Sequence, residues 1–224
     1  MAAAPEKKLM QFRPLGGSGL QVPGVGMGCM TMGEQNTREQ SFEILDACVA
    51  RGVTFFDAAE LYPVPPRGGR ERSMHTEQII GDWMAARGGA DFRKGLIIAT
   101  KAASRMPGVG PRGWIVANRY ESDEAAAAAA ADAPNCGPDL TREQIHQACD
   151  ASLRRLQTDY IDLYQLHWPS RYAPVFGKRQ FDYALASADG ADGAPIEESV
   201  AAVGELLKSG KVRHWGLSNE TPYG

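Results

Sequence analysis

The chain has 224 residues, 43% hydrophobic and 23% charged, enough for one domain with a sizeable core and too short to assume two. A formal net charge of −3 argues against a general nucleic-acid binder, which would carry a basic excess. No apolar run approaches the roughly 20 residues that span a bilayer, and residues 1–8 hold no apolar signal core.

Residues 1–8 are therefore expected to be a disordered N-terminus, and 9–224 one folded domain of a cytoplasmic protein. Over residues 9–22, two short alternating runs flank Gly16-Gly17-Ser18-Gly19. That is a hairpin signal, because consecutive glycines supply the positive φ of a tight turn. Strand-like runs follow at 24–28, 53–57, 96–100, 160–167 and 212–218. They are short, apolar and only partly alternating, as parallel strands covered on both faces should be.

Helices are readable between them. Thr37-Arg38-Glu39-Gln40 has the capping-box pattern, and Ile44, Leu45 and Cys48 then make a face that Gly52 can end. Residues 76–87 group Ile79, Ile80, Trp83 and Met84. Thr141-Arg142-Glu143-Gln144 repeats the earlier start, with Ile145, Ala148, Cys149, Leu153 and Leu156 on one side. Pro195, then Glu197 and Glu198, opens a fourth helix with proline first and acids in the first turn. Strands alternating with helices imply a parallel sheet with right-handed crossovers. Composition does not choose between a barrel and an open doubly wound sheet.

Two stretches break the rhythm. Residues 119–138 contain Ala125 to Ala131 without interruption, flanked by acids. Alanine favours helix but offers no apolar face that demands a core, so the segment reads as a surface insertion with frayed helix. The connection over 168–194 is long, and such loops at strand ends often shape substrate pockets. A literal GxGxxG at Gly108 to Gly113 is set aside. It does not follow its strand directly, and no helix is evident after Pro111. Cys29, Cys48, Cys136 and Cys149 form no CxxC pair and read as reduced thiols, with no metal site.

The chemistry-bearing residues sit at strand ends. Asp57 ends the second strand candidate and Tyr62 follows it. Lys101 follows the third, His167 ends the fourth, and Ser218 and Asn219 close the fifth. In a parallel α/β fold all C-terminal strand ends lie on one face, so these residues are expected to converge. Singly, each has a plain structural reading: a turn cap, a solvated lysine, a histidine that satisfies backbone. Four strands ending this way make coincidence a poor account.

These segments resemble the aldo-keto reductases. Residues 52–62 (GVTFFDAAELY) are similar to the family segment carrying its catalytic Asp and Tyr, and 98–101 (IATK) to its lysine strand. Residues 152–169 (SLRRLQTDYIDLYQLHWP) are similar to its histidine segment. Residues 216–221 (GLSNET) resemble the strand that holds the nicotinamide amide, and 24–33 (GVGMGCMTMG) the first barrel strand and its cofactor loop. Residues 33–37 and 62–66 resemble the bacterial Tas-like branch.

The resemblance implies a (β/α)8 TIM-barrel fold and NADP(H)-dependent reduction of aldehyde or ketone carbonyls. Asp57, Tyr62, Lys101 and His167 would be catalytic. Gly28, Cys29, Met30, Asp57, Ser218 and Asn219 would contact the cofactor, with no metal. Tyrosine is a poor acid at neutral pH, and a neighbouring cation favours the tyrosinate that proton donation leaves behind. The family assigns that role to the lysine matching Lys101. Asp57 would orient the lysine, and His167 the substrate oxygen. Only about five of eight βα units are readable, so the chain is expected to be incomplete at its C-terminal side. An open barrel edge would then invite a protein partner or a second copy. A binding or regulatory module of the same fold is the alternative reading, as the potassium-channel β subunits of this family illustrate.

Overall fold

Antiparallel strands β1 (Phe12–Pro14) and β2 (Gln21–Pro23) form the expected hairpin, with Arg13 opposite Val22. The structure, a computed structural model, describes residues 10–65, 75–105, 113–120, 122–132, 137–174, 180–188 and 193–220. Met10, just before the hairpin, packs on Gly52, whose φ of +81° suits glycine in the turn leading into the sheet. The hairpin therefore lies at the N-terminal ends of the sheet strands.

Five parallel strands follow in alternation with helices. They are β3 (Met27–Gly28), β4 (Phe55–Asp57), β5 (Ile97–Ala102), β6 (Ile161–Leu166) and β7 (Val212–Leu217). Helix α1 (Arg38–Val49) joins β3 to β4, and α2 (His75–Ala86) with α3 (Ala90–Arg93) joins β4 to β5. The next crossover carries α4 (Gly113–Ala117), α5 (Asp123–Asp132) and α6 (Arg142–Leu156), and the last carries α7 (Tyr183–Ala188) and α8 (Ile196–Lys208).

Strand order settles the architecture. The sheet runs β3-β4-β5-β6-β7 without reversal. A doubly wound sheet reverses at a switch point, whereas successive right-handed crossovers in one direction keep the helices on one face. Accordingly α2 packs on α6 and α6 on α8. This is the arrangement of a (β/α)8 barrel, with five strands present among the described residues.

Alternation along the strands divides the side chains. Phe56, Ile98 and Tyr164 point outward into the core beneath the helices, where they join Trp83, Ile145 and Leu206. Burying such side chains contributes about 1.5–3 kcal/mol each. Lys101 and Gln165 point to the opposite, inner face. The outward Thr100 hydroxyl donates to Glu77, whose other oxygen takes Arg155, so β5, α2 and α6 are tied together just behind Lys101.

The helix starts follow their capping chemistry. Thr37 and Gln40 close a reciprocal capping box on α1. Thr141 caps α6 by accepting from the Gln144 amide, but the Gln144 side chain accepts instead from Asp139 N and Arg119. Pro195 stands at the start of α8 with Glu197 and Glu198 in its first turn.

The structure departs from expectation at several points. On α1, Leu45 is buried but Ile44 is exposed, which narrows the apolar face. The alanine run is helical in α5, with Ala126 buried, and Arg119 at the start of the 119–138 segment is buried rather than on the surface. A short helix does begin at Gly113, directly after the glycine-rich stretch, whose residues 106–112 lie outside the described residues. Residues 1–8 and Cys136 also lie outside them. Cys29, Cys48 and Cys149 are free thiols. Among the described residues no helix is long and apolar enough to cross a membrane, and no cluster suits a metal ion.

Candidate active site

The C-terminal ends of the strands carry the polar residues, as parallel topology requires. Gly28 and Asp57 are register partners at the ends of β3 and β4. Lys101 lies near the end of β5, His167 directly follows β6, and Ser218 and Asn219 directly follow β7.

Lys101 is the hub. Its Nζ donates to Asp57 Oδ2 at 2.7 Å, to the Ala58 carbonyl at 2.8 Å and to Tyr62 Oη at 3.3 Å. An ammonium has three protons, and these three acceptors match them. Asp57 Oδ1 accepts from Gln165 Nε2 at 3.1 Å.

The loop bearing Tyr62 is stitched to β5. Ala58 N donates to Ala99 O, and Glu60 N to Lys101 O. The Glu60 carboxylate accepts from Ala103 N and grips Arg119 through both oxygens at 2.8 and 3.0 Å. Both partners of that pair are almost fully buried. Burial alone would lower the Arg119 pKa, but the Glu60 carboxylate more than offsets this and holds it above its ordinary value.

His167 stands edge-on to Tyr62, with ring centroids 5.7 Å apart and planes at 78°. Burial, reinforced by the Lys101 charge, pushes its pKa down to about 3, so the imidazole is neutral at ordinary pH. Among the described residues its buried Nδ1 has no hydrogen-bond partner. His167 is fixed through its backbone: its N–H donates to Ala102 O, and its carbonyl accepts from Asn219 Nδ2 at 2.8 Å.

The residues expected to hold a cofactor divide. Met30 is half-exposed, and among the described residues, its two chain neighbours aside, nothing lies within 4 Å of where a Cβ on Gly28 would sit. Cys29 differs from expectation: it is 1% exposed, packs in the core beneath the helices and points its thiol at Met27 O. Burial, then the Asp57 charge, raises that thiol to about 12, so it stays protonated and offers no side-chain contact to a ligand. Asn219 has a φ of +54° and uses its amide nitrogen on His167 O and Ser218 Oγ. Among the described residues its Oδ1 is left as an acceptor, and the Ser218 hydroxyl keeps its own proton to donate. A carboxamide requires that pairing of one acceptor and one donor, so these residues fit a nicotinamide amide.

Gln165 and Arg119 were not singled out by the sequence. The signal for Gln165 was available: a polar residue on the inward phase of β6, which is otherwise Ile161 and Leu163, two positions before His167.

A model of the aldo/keto reductase family matches residues 24–223. The chain belongs to that family. It is 38% identical to Protein tas of Escherichia coli over 217 residues, covering 96% of this chain and 54% of tas. It is 30% identical to an uncharacterized oxidoreductase, YqkF, of Bacillus subtilis, covering 95% of this chain and 50% of YqkF. Among solved structures it resembles the holo form of aldo-keto reductase AKR11C1 from Bacillus halodurans, with a TM-score of 0.60 and 30% identity, covering 95% of this chain and 51% of that one. An aldo-keto reductase from Klebsiella pneumoniae in complex with NADPH matches with a TM-score of 0.55 and 25% identity, covering 92% and 49%. This aldo/keto reductase chain thus spans about half the length of the relatives it matches.

Proposed function

We propose that this chain acts as an NADP(H)-dependent oxidoreductase that reduces aldehyde or ketone carbonyls to alcohols, with Tyr62 as general acid. The observation that carries the reading is the set of contacts around Lys101. Because Tyr62 Oη accepts from the ammonium, its own proton is turned away from Lys101 and is free for transfer to a developing alkoxide. The same ammonium stabilises the tyrosinate left behind. Asp57 keeps the ammonium in place.

His167, neutral at working pH, orients the carbonyl oxygen by a ring N–H instead of acting as an acid. Ser218 and Asn219 would hold the cofactor amide, and the open space at Gly28 beside Met30 would admit its neighbouring part. When bound, the reduced nicotinamide supplies the hydride. The burial of Tyr62, Lys101 and His167 limits water at the reacting oxygen, which strengthens each of these polar contacts.

Titration of the folded 224-residue protein with NADPH and NADH, followed by nicotinamide fluorescence, tests the cofactor assignment. Saturable NADPH binding, weakened roughly tenfold by Asn219→Ala, is the expected result. Folded protein that binds neither nucleotide overturns it.

A second reading, a surface that engages a protein partner or a second copy, is favoured by one observation. Outward from β7, Trp215 and Leu217 are exposed beside Ile196 and Val200 of α8, around a groove of about 400 Å³. Contiguous exposed apolar side chains of this kind mark interaction surfaces. Light scattering tests it: wild-type protein that self-associates or binds a partner, and Leu217→Glu protein that does not, would support it, and a monomer with no partner would oppose it.

A further inference from the structure

We propose that Gln165 is a positioning residue of this site, which acts by fixing the Asp57 carboxylate against Lys101. Lys101 and Gln165 are register partners on β5 and β6, and Asp57 is the register partner of Ala99, two residues before Lys101 on β5. All four side chains share the inner face. Asp57 and Gln165 therefore lie on opposite sides of β5 and meet across it. They can do so because Ala99 places only a methyl group between them.

The direction of the hydrogen bond is fixed by chemistry. A carboxylate only accepts, so the NH2 group of Gln165 must face it. Among the described residues the Asp57 side chain takes hydrogen bonds from Lys101 and Gln165 alone, one on each oxygen. Asp57 is 36% exposed, against 5% for Lys101. Without Gln165 the carboxylate has open space to rotate into, and its hold on the ammonium loosens. Gln165 thereby sets where the Lys101 proton toward Tyr62 points, although it touches neither Lys101 nor Tyr62 by hydrogen bond.

A bland packing role for residue 165 makes a different prediction, since an apolar side chain of equal size would serve as well. The inner face one pleat back is occupied by Leu163, and Gly216 on β7 would tolerate a Cβ at ordinary contact distance from Gln165. Space-filling alone does not call for an amide here.

The test reads the Lys101 ammonium directly, in the side-chain region of a ¹H–¹⁵N spectrum of the free protein. Its signal is identified by its loss in Lys101→Met. A buried ammonium with three fixed acceptors exchanges slowly enough to be seen. Gln165→Met, matched in size but without the donor, is expected to shift or broaden that signal, as is Asp57→Asn. The double variant is expected to add nothing to Asp57→Asn. Gln165→Asn, one methylene short, should behave like Gln165→Met, and it keeps the test open if the methionine variant fails to fold. An unchanged Lys101 signal in these variants, a fully additive double variant, or no Lys101 signal in the wild type would each overturn the proposal.

The kinetic consequence rests on the reductase reading: Gln165→Met should lower kcat roughly tenfold with little change in KM. Wild-type protein without turnover would count against the reductase reading, and the ammonium signal would still decide the role of Gln165.

Discussion

The His167 ring meets the Tyr62 ring edge-on at 5.7 Å, and the same burial that sets this contact keeps the imidazole neutral. Its folded pKa of about 3 lies below the roughly 6.5 of an unfolded histidine. The unfolded chain therefore binds the extra proton first. The stabilisation is fully present above about pH 6.5 and is lost as pH falls toward 3, at about 1.4 kcal/mol per pH unit. Denaturant unfolding at several pH values should show this slope in wild-type protein and lack it in His167→Asn. Parallel pH dependences would contradict the assignment.

Lys101→Met removes the cation that Asp57 and Tyr62 share. On the proposed mechanism the variant should lose at least about 10²-fold in kcat, the usual scale for one preorganised donor in a dry site. NADPH affinity, measured in parallel by fluorescence, should be nearly unchanged, because the proposed cofactor contacts Ser218 and Asn219 follow β7 and not β5. A loss of binding equal to the loss of rate would place Lys101 in cofactor binding instead.

Much of this architecture was legible because it is written locally. The capping box at Thr37, the acids after Pro195 and the short apolar runs announce their elements by chemistry that acts over a few residues. The convergence of Asp57, Lys101, His167 and Ser218 was readable too, since parallel topology forces strand ends together. Barrel against doubly wound sheet was not, because it depends on strand order alone. Glu60 and Arg119 lie 59 positions apart, and nothing local tells a buried ion pair from two surface charges. Ile44 was misplaced for a related reason: a helix flank takes its burial from neighbours distant in sequence, as the Cys29 thiol also does.

The Glu60–Arg119 pair should prove costly to break from one side. Arg119→Met strands a buried carboxylate next to the Tyr62 loop, and removal of one partner of such a pair typically costs about 3–5 kcal/mol. Unfolding midpoints should fall accordingly, and Glu60→Gln combined with Arg119→Met should recover part of the loss. A single variant as stable as wild type would show that the pair is solvated.

Helices α2 and α6 touch at Gly81. A Cβ there would overlap the Arg155 carbonyl oxygen and lie 2.9 Å from the Leu156 carbonyl carbon, both backbone atoms that cannot step aside. Gly81→Ala is expected to destabilise by about 1–3 kcal/mol through overpacking, although alanine is the better helix former. Thermal unfolding reads the sign, and a stabilised variant would mean that the two helices separate freely.

The most direct test of the central claim is turnover of a simple aldehyde with NADPH by wild-type and Tyr62→Phe protein, both shown to be folded and to bind the nucleotide. The account predicts measurable reduction by the wild type and a loss of about 10²-fold or more in Tyr62→Phe, with cofactor affinity retained. A phenylalanine variant that reduces the aldehyde at the wild-type rate would contradict Tyr62 as the proton donor and, with it, the mechanism built on Lys101.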